Sequence, residues 1–159
     1  MSVFQAQYTR ALMVFPSDNA NIPYPNLITS AFPTETETNK LIDGNANFIT
    51  SNIQAGDIVY ANLGSATVLE VISATELLLN ADIVSNIAYP YFIYNASSQT
   101  SNGNPGCYLY VGGAGDLKVT TVGQDIVTFY GVPAGTVLPI QVVKVHLTDT
   151  VADKITALW

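Results

Sequence analysis

From about residue 48 onward, apolar and polar positions alternate with the two-residue period of a strand that has one covered face. "GDIVYANLGSATVLEVISATELLLN", residues 56–80, predicts three short strands separated at "NLGS" and "SAT". "AYPYFIY", residues 88–94, predicts another, with Pro90 at a strand start or sheet edge. The turn formers of "NASSQTSNGNPG", residues 95–106, predict an exposed loop or linker. Beyond it Leu109 and Val111 share one face and Tyr108 and Tyr110 the other, while Leu117 and Val119 oppose Lys118 and Thr120. Gly112, Gly113 and Gly115 lie between these two runs and predict a tight hairpin turn, because glycine tolerates the positive φ that such a bend needs. Three more strands follow, "IVTFY", "VLPIQVVKVHL" and "ITALW", each introduced by a turn sequence. In the long one, Ile140 and Val142 keep one phase and Val143, Val145 and Leu147 the other, which predicts a bulge or a strand covered on both faces. Trp159 is in phase with Ile155 and Ala157 and is expected in the core or a subunit contact. Residues 35–42, "ETETNKLI", allow one helical turn at most. The fold class expected is all-β, a small β-sandwich or barrel.

Composition sharpens this picture in one respect. Apolar residues make up 48% of the 159 positions but charged residues only 11%, against roughly 25% in ordinary soluble domains. Such a surface is covered by Ser, Thr, Asn, Gln and Tyr, or by other protein. The net charge of -7, with no cluster of Lys or Arg, would repel a phosphate backbone, so nucleic acid is not expected as a partner. No apolar run reaches the roughly 18 residues of a membrane span, and "ALMVF" after Arg10 is too short for the core of a secretory signal. A single cysteine, Cys107, excludes an internal disulfide framework and is expected in a buried apolar role.

Sites of chemistry are sparse. The glycine-rich stretch lacks the Lys and hydroxyl of a phosphate-binding loop, and "DLKVTTV" after it is no helix start. Cys107 and His146 are the one possible thiol dyad, but His146 alternates with Lys144 on a face expected to be polar. Serines are many, yet no G-x-S-x-G elbow exists. Glu35, Glu37, Asp57, Glu70 and Glu76 are scattered and form no motif for glycoside hydrolysis. "DGNANFITSNIQ", residues 43–54, begins like a calcium loop with Asp43, Asn45 and Asn47, but Phe48 replaces the turn glycine and Gln54 the closing glutamate, so an Asn-rich turn is expected. "NAS" at 95–97 has the form of a glycosylation sequon and reads as a polar loop. Neither cofactor nor metal is expected, and no catalytic residue is assigned. The nine tyrosines are the richer signal: Tyr89, Tyr91, Tyr94, Tyr108 and Tyr110 are expected on exposed faces, as aromatics are at protein interfaces.

The stretch from Cys107 to Trp159 resembles a module of tailed-phage virion proteins, of the head spike-base and decoration type also found in phage-derived gene transfer agents. The likeness rests on "LYVGGAGDLKVTT", "DIVTF" and "VPAGTVLPI". In that family an N-terminal "PSD…IP" strand leads directly to the "LYVG" segment; here "PSDNANIP" ends at Pro23, and the hairpin starts only at Cys107. The intervening "GDIVYANLGSATVLEVISATELLLN" is similar to small barrel-like units of phage structural proteins. The resemblance implies a discontinuous parent domain of residues 1–37 and 99–159, with 38–98 as an inserted small β subdomain. It implies a non-enzymatic capsid decoration, cement or head spike-base protein, made in the host cytoplasm and seated on the virion surface. Its partners would be the major capsid protein and its own copies. A closed ring that covers the strand edges, a trimer, is the expected homo-oligomer. The alternative is a receptor- or glycan-binding module of a tail fibre or spike, which aromatic platforms and Asn-rich loops would also suit.

Overall fold

The computed structural model describes residues 7–62, 64–96 and 106–159. Among them are twelve strands and no helix: β1 (Ala11–Met13), β2 (Leu27–Ala31), β3 (Lys40–Ile42), β4 (Ile58–Ala61), β5 (Gly64–Ser73), β6 (Glu76–Leu79), β7 (Tyr91–Tyr94), β8 (Cys107–Gly113), β9 (Gly115–Thr121), β10 (Ile126–Val132), β11 (Thr136–Val145) and β12 (Asp153–Leu158). They form two antiparallel sheets of six strands, consistent with a β-sandwich, in the orders β1-β12-β8-β11-β9-β10 and β2-β7-β4-β5-β6-β3. The linker expected at 95–106 falls mostly outside the described residues.

Each sheet turns its apolar phase onto a separate cluster. Leu109, Val111, Leu117, Val119, Val142, Val145, Ile155 and Ala157 meet in the first, and Trp159 packs against it, as its phase requires. Leu41, Phe48, Val59, Ala66, Val68, Leu77, Leu79, Tyr91 and Ile93 meet in the second. A small third cluster of Ala20, Ile58, Tyr60 and Tyr94, joined by Leu12 and Phe15, lies where the sheets meet. Strand β4 is therefore buried at every position, with Val59 and Ala61 in one cluster and Ile58 and Tyr60 in another. Between the sheets runs a strap, residues 14–22. Its backbone bonds the first sheet through Val14 N–H to Ile155 O, Ser17 N–H to Val145 O and Ile22 N–H to Val143 O. To the second sheet it is tied by Ser17 Oγ to Ser65 O (3.1 Å) and by Asn80 Nδ2 to Asn19 O (2.7 Å).

Four expectations need correction. β8 and β9 are not a hairpin: both pair antiparallel with β11, so they run in the same direction on its two sides. The glycines serve close approach instead. A Cβ on Gly112 would lie 2.7 Å from Lys154 O, and one on Gly115 would lie 2.6 Å from Ala152 N, so the segment entering β12 crosses where no side chain fits. Residues 35–42 form no helical turn; Glu35 bridges Ile42 and β3 begins at Lys40. β2, expected in the parent segment 1–37, pairs with β7 in the second sheet, so that sheet takes all its strands from residues 27–94. Ile140 and Leu147 do not join the buried phases of β11 but are exposed. The phase slip itself is real: registers shift between Leu138 and Val142 against β8 and between Val142 and Lys144 against β9, which buries Val142 and Val143 in succession.

Candidate functional site

The outer face of the first sheet is a surface assembled from four strands. Register places Met13 beside Thr156, Thr156 beside Tyr110, and Tyr110 beside Val137, a row running across β1, β12, β8 and β11. The neighbouring row holds Ala11, Leu158 and Tyr108. These positions face outward because their neighbours Leu109, Val111, Leu138, Ile155 and Ala157 fill the core. Met13 is 60% exposed, Val137 41% and Tyr110 40%, and neither row carries a charged side chain. Tyr108 is half-buried, its ring meeting that of Tyr8 edge-on at 5.7 Å. A patch of apolar, aromatic and threonine side chains without charge can exclude water against another protein surface.

The other tyrosines divide. Tyr89 is exposed and lines a cleft of about 120 Å³ with Phe15, Tyr60, Pro90 and Phe92. Tyr91 and Tyr94 correct the expectation of exposure, for both are buried within the chain. Tyr91 donates to Asp43 Oδ2 at 2.7 Å, and burial first, then this carboxylate, pushes its pKa up. Tyr94 lies edge-on to Tyr60 at 5.3 Å. The exposed aromatic of β7 is Phe92. Sequence alone missed Met13 and Val137, since only strand order shows that they share a row with Tyr110.

Polar groups gather at a second place. Asp18, His146 and Thr120 stand in the order carboxylate, imidazole, hydroxyl, with Thr120 Oγ1 2.8 Å from His146 Nε2 and His146 Nδ1 3.6 Å from Asp18 Oδ1. The second distance is beyond a hydrogen bond. Asp18 instead accepts from Thr148 Oγ1 (2.7 Å) and Thr148 N–H (3.1 Å), and the Thr148 hydroxyl is the chief reason its pKa is lowered. Burial, then Lys144, lowers the pKa of His146. The cluster anchors the strap to the turn after β11. Lys118 is held at 2.9 Å by Asp149 of that same turn.

The remaining candidates are accounted for locally. Cys107 is buried, its Sγ 3.6 Å from Val142 O, and burial pushes its thiol pKa up to about 12, far from a thiolate nucleophile. Asp43 is buried, its Oδ1 accepting from Asn45 N–H at 2.9 Å in an Asx turn, as the Asn-rich reading of this loop requires. Among the described residues no three His, Cys, Asp or Glu side chains gather as metal ligands. Glu37 and Glu76 both contact Lys40 at 2.7 Å. Asp57 accepts from Gln54 N–H and Ala96 N–H, and burial raises its pKa. No protein-family profile, curated protein or solved structure matches the chain.

Proposed function

We propose that this chain is a non-enzymatic structural protein of a phage-like virion, a capsid decoration, cement or head spike-base component acting by contact with the major capsid protein and with its own copies. The observation that carries the reading is a pair of uncharged rows on the outer face of the first sheet, where Met13, Tyr110 and Val137 stand exposed, with Lys154 and Lys118 elsewhere on that face. That sheet is built largely from the stretch that resembles phage decoration modules. An acidic chain that keeps these rows free of charge has a patch suited to a neutral stretch of a protein neighbour.

The test is attachment to particles. Tyr110→Ser combined with Val137→Ser should weaken binding to the cognate capsid by roughly 30-fold or more, since an interface aromatic is often worth about 2 kcal/mol. Thermal unfolding should stay unchanged, because neither side chain enters the core. Mass spectrometry of purified particles that finds no copies of the chain would reject the proposal. The cleft of Phe15, Tyr60, Tyr89, Pro90 and Phe92 favours one other reading, a glycan- or receptor-binding module, which selective loss of glycan-array binding in Tyr89→Ala would support.

A further inference from the structure

The sheet edges differ in what they leave open. β1 and β3 have three residues each, and β2, between Pro25 and Pro33, has five. β10 has seven residues, "IVTFYGV", with no charge or proline among them, and among the described residues it pairs only with β9. It is also open on its faces: Ile126 is 62% exposed, Tyr130 80%, and Val127, though in phase with the core, is exposed too. Natural edges of this length are normally blunted by lysine, proline, an inward charge or a β-bulge, and β10 has only the last, at its C-terminal end. The charged groups near β10 are instead engaged within the chain. Asp116 Oδ1 accepts from Gly131 N–H at 2.8 Å, Lys118 is held by Asp149, and Asp125 Oδ2 lies 3.4 Å from Thr121 Oγ1.

We infer that β10 pairs antiparallel with β10 of a second copy about a two-fold axis at Thr128, joining two first sheets into one. Hydrogen-bond phase supports this axis. Thr121 N–H bonds Asp125 O across the turn, so bonded pairs alternate on through Val119–Val127 and Leu117–Phe129. The N–H and C=O of Ile126 and Thr128 then point away from β9, toward the open edge. Centred on Thr128, the strand is self-complementary: Ile126 stands opposite Tyr130 of the second copy, and Val127 opposite its Phe129. Both are pairs of a β-branched with an aromatic side chain, the combination that stabilises antiparallel strands. Charge at the seam does not oppose this occupant. Two chains of net charge -7 repel overall, and a seam with no charge from Ile126 to Tyr130 adds no opposed like-charge pair to that repulsion. The bulge at Tyr130–Gly131, where Gly131 has φ 60°, ends the seam. The isologous contact uses the edge in both copies and leaves only the three-residue β1 at the far side, so assembly closes at two rather than growing into a fibre. A two-fold dimer takes the place of the trimer expected from edge closure alone.

This names the self-contact of the proposed role, yet it rests on the edge itself and requires no particle. In sedimentation equilibrium at micromolar concentration the protein should have twice its 17.0 kDa chain mass. Ile126→Lys, which places a charge in the seam on an exposed position, should raise the dissociation constant about tenfold or more. Thr128→Cys should self-crosslink under mild oxidation, because antiparallel partners on a two-fold lie within disulfide reach and Cys107 is buried. Thr29→Cys on the β2 edge should not crosslink. Should Ile126→Lys fail to fold, the Thr128→Cys crosslink still decides. A monomer, a trimer, a dimer that crosslinks through Thr29→Cys, or a dimer indifferent to Ile126→Lys would overturn the inference. A monomer that still binds capsids overturns it and leaves the proposed role standing; a dimer absent from every particle does the reverse.

Discussion

Replacing Tyr91 with phenylalanine removes one oxygen atom from the second core and leaves the ring in place. That hydroxyl donates to Asp43 Oδ2 at 2.7 Å, and both residues are all but sealed from water. The other carboxylate oxygen keeps its bond to Asn45 N–H, so the substitution isolates a single bond to a charged acceptor. Such bonds contribute about 1.5–3 kcal/mol, and stripping this partner leaves the buried Oδ2 without its donor. A loss of about 2 kcal/mol is expected, which in a chain of this size lowers Tm by about 4–8 °C. Chemical denaturation should show an earlier midpoint at unchanged slope. Tyr110→Phe makes the same chemical change at an exposed site and should fall within about 0.5 kcal/mol of the parent. Asp43→Ala combined with Tyr91→Phe should cost less than the two single changes added together, because each removes the same bond. If Tyr91→Phe loses no more stability than Tyr110→Phe, the buried bond does not hold β7 to the 43–46 turn, and the reasoning fails.

His146, the chain's single histidine, should titrate below its ordinary 6.5, since burial and Lys144 disfavour the imidazolium. The folded state then binds fewer protons than the unfolded one, so this stability is complete above pH 6.5 and is lost as pH falls through the folded pKa; a proton NMR midpoint at or above 6.5 would contradict it. Asp18, with its pKa lowered by Thr148, adds a separate loss that sets in only below pH 3.8. Cys107, its pKa pushed up to about 12, should resist a thiol reagent in the folded protein and react at the rate of unfolding; rapid labelling of native protein would refute its burial. Trp159, packed on the first core and edge-on to Tyr24 at 5.4 Å, should emit at shorter wavelength when folded than in denaturant, and coincident spectra would remove it from the core.

Strands were legible where one face is buried and the other wet, as in Leu109, Val111, Leu117 and Val119, because that asymmetry is written into each strand's own residues. Pairing was not. The three glycines resemble a turn, yet their reason for being glycine is the passage of Ala152 to Lys154, forty residues further on in the chain, and nothing local announces it. Tyr91 shows the same limit: its ring suits a surface, and only the distant carboxylate of Asp43 makes burial of its hydroxyl tolerable. The candidate surface fails to show in sequence for this reason too, since Met13, Thr156, Tyr110 and Val137 become neighbours only through the order of β1, β12, β8 and β11. That same order puts β10 at the opposite edge from β1, which connects the two proposals physically. A two-fold through Thr128 in an antiparallel seam runs perpendicular to the sheet, so the outer faces of both copies point the same way. Two weak, uncharged patches are then presented together to one surface, and the second attachment becomes intramolecular once the first has formed. Ile126→Lys should therefore weaken capsid attachment even though Ile126 lies outside the patch, and by a larger factor on an intact lattice than on an isolated capsid subunit. Equal weakening on both would mean that the edge touches the capsid itself rather than a second copy.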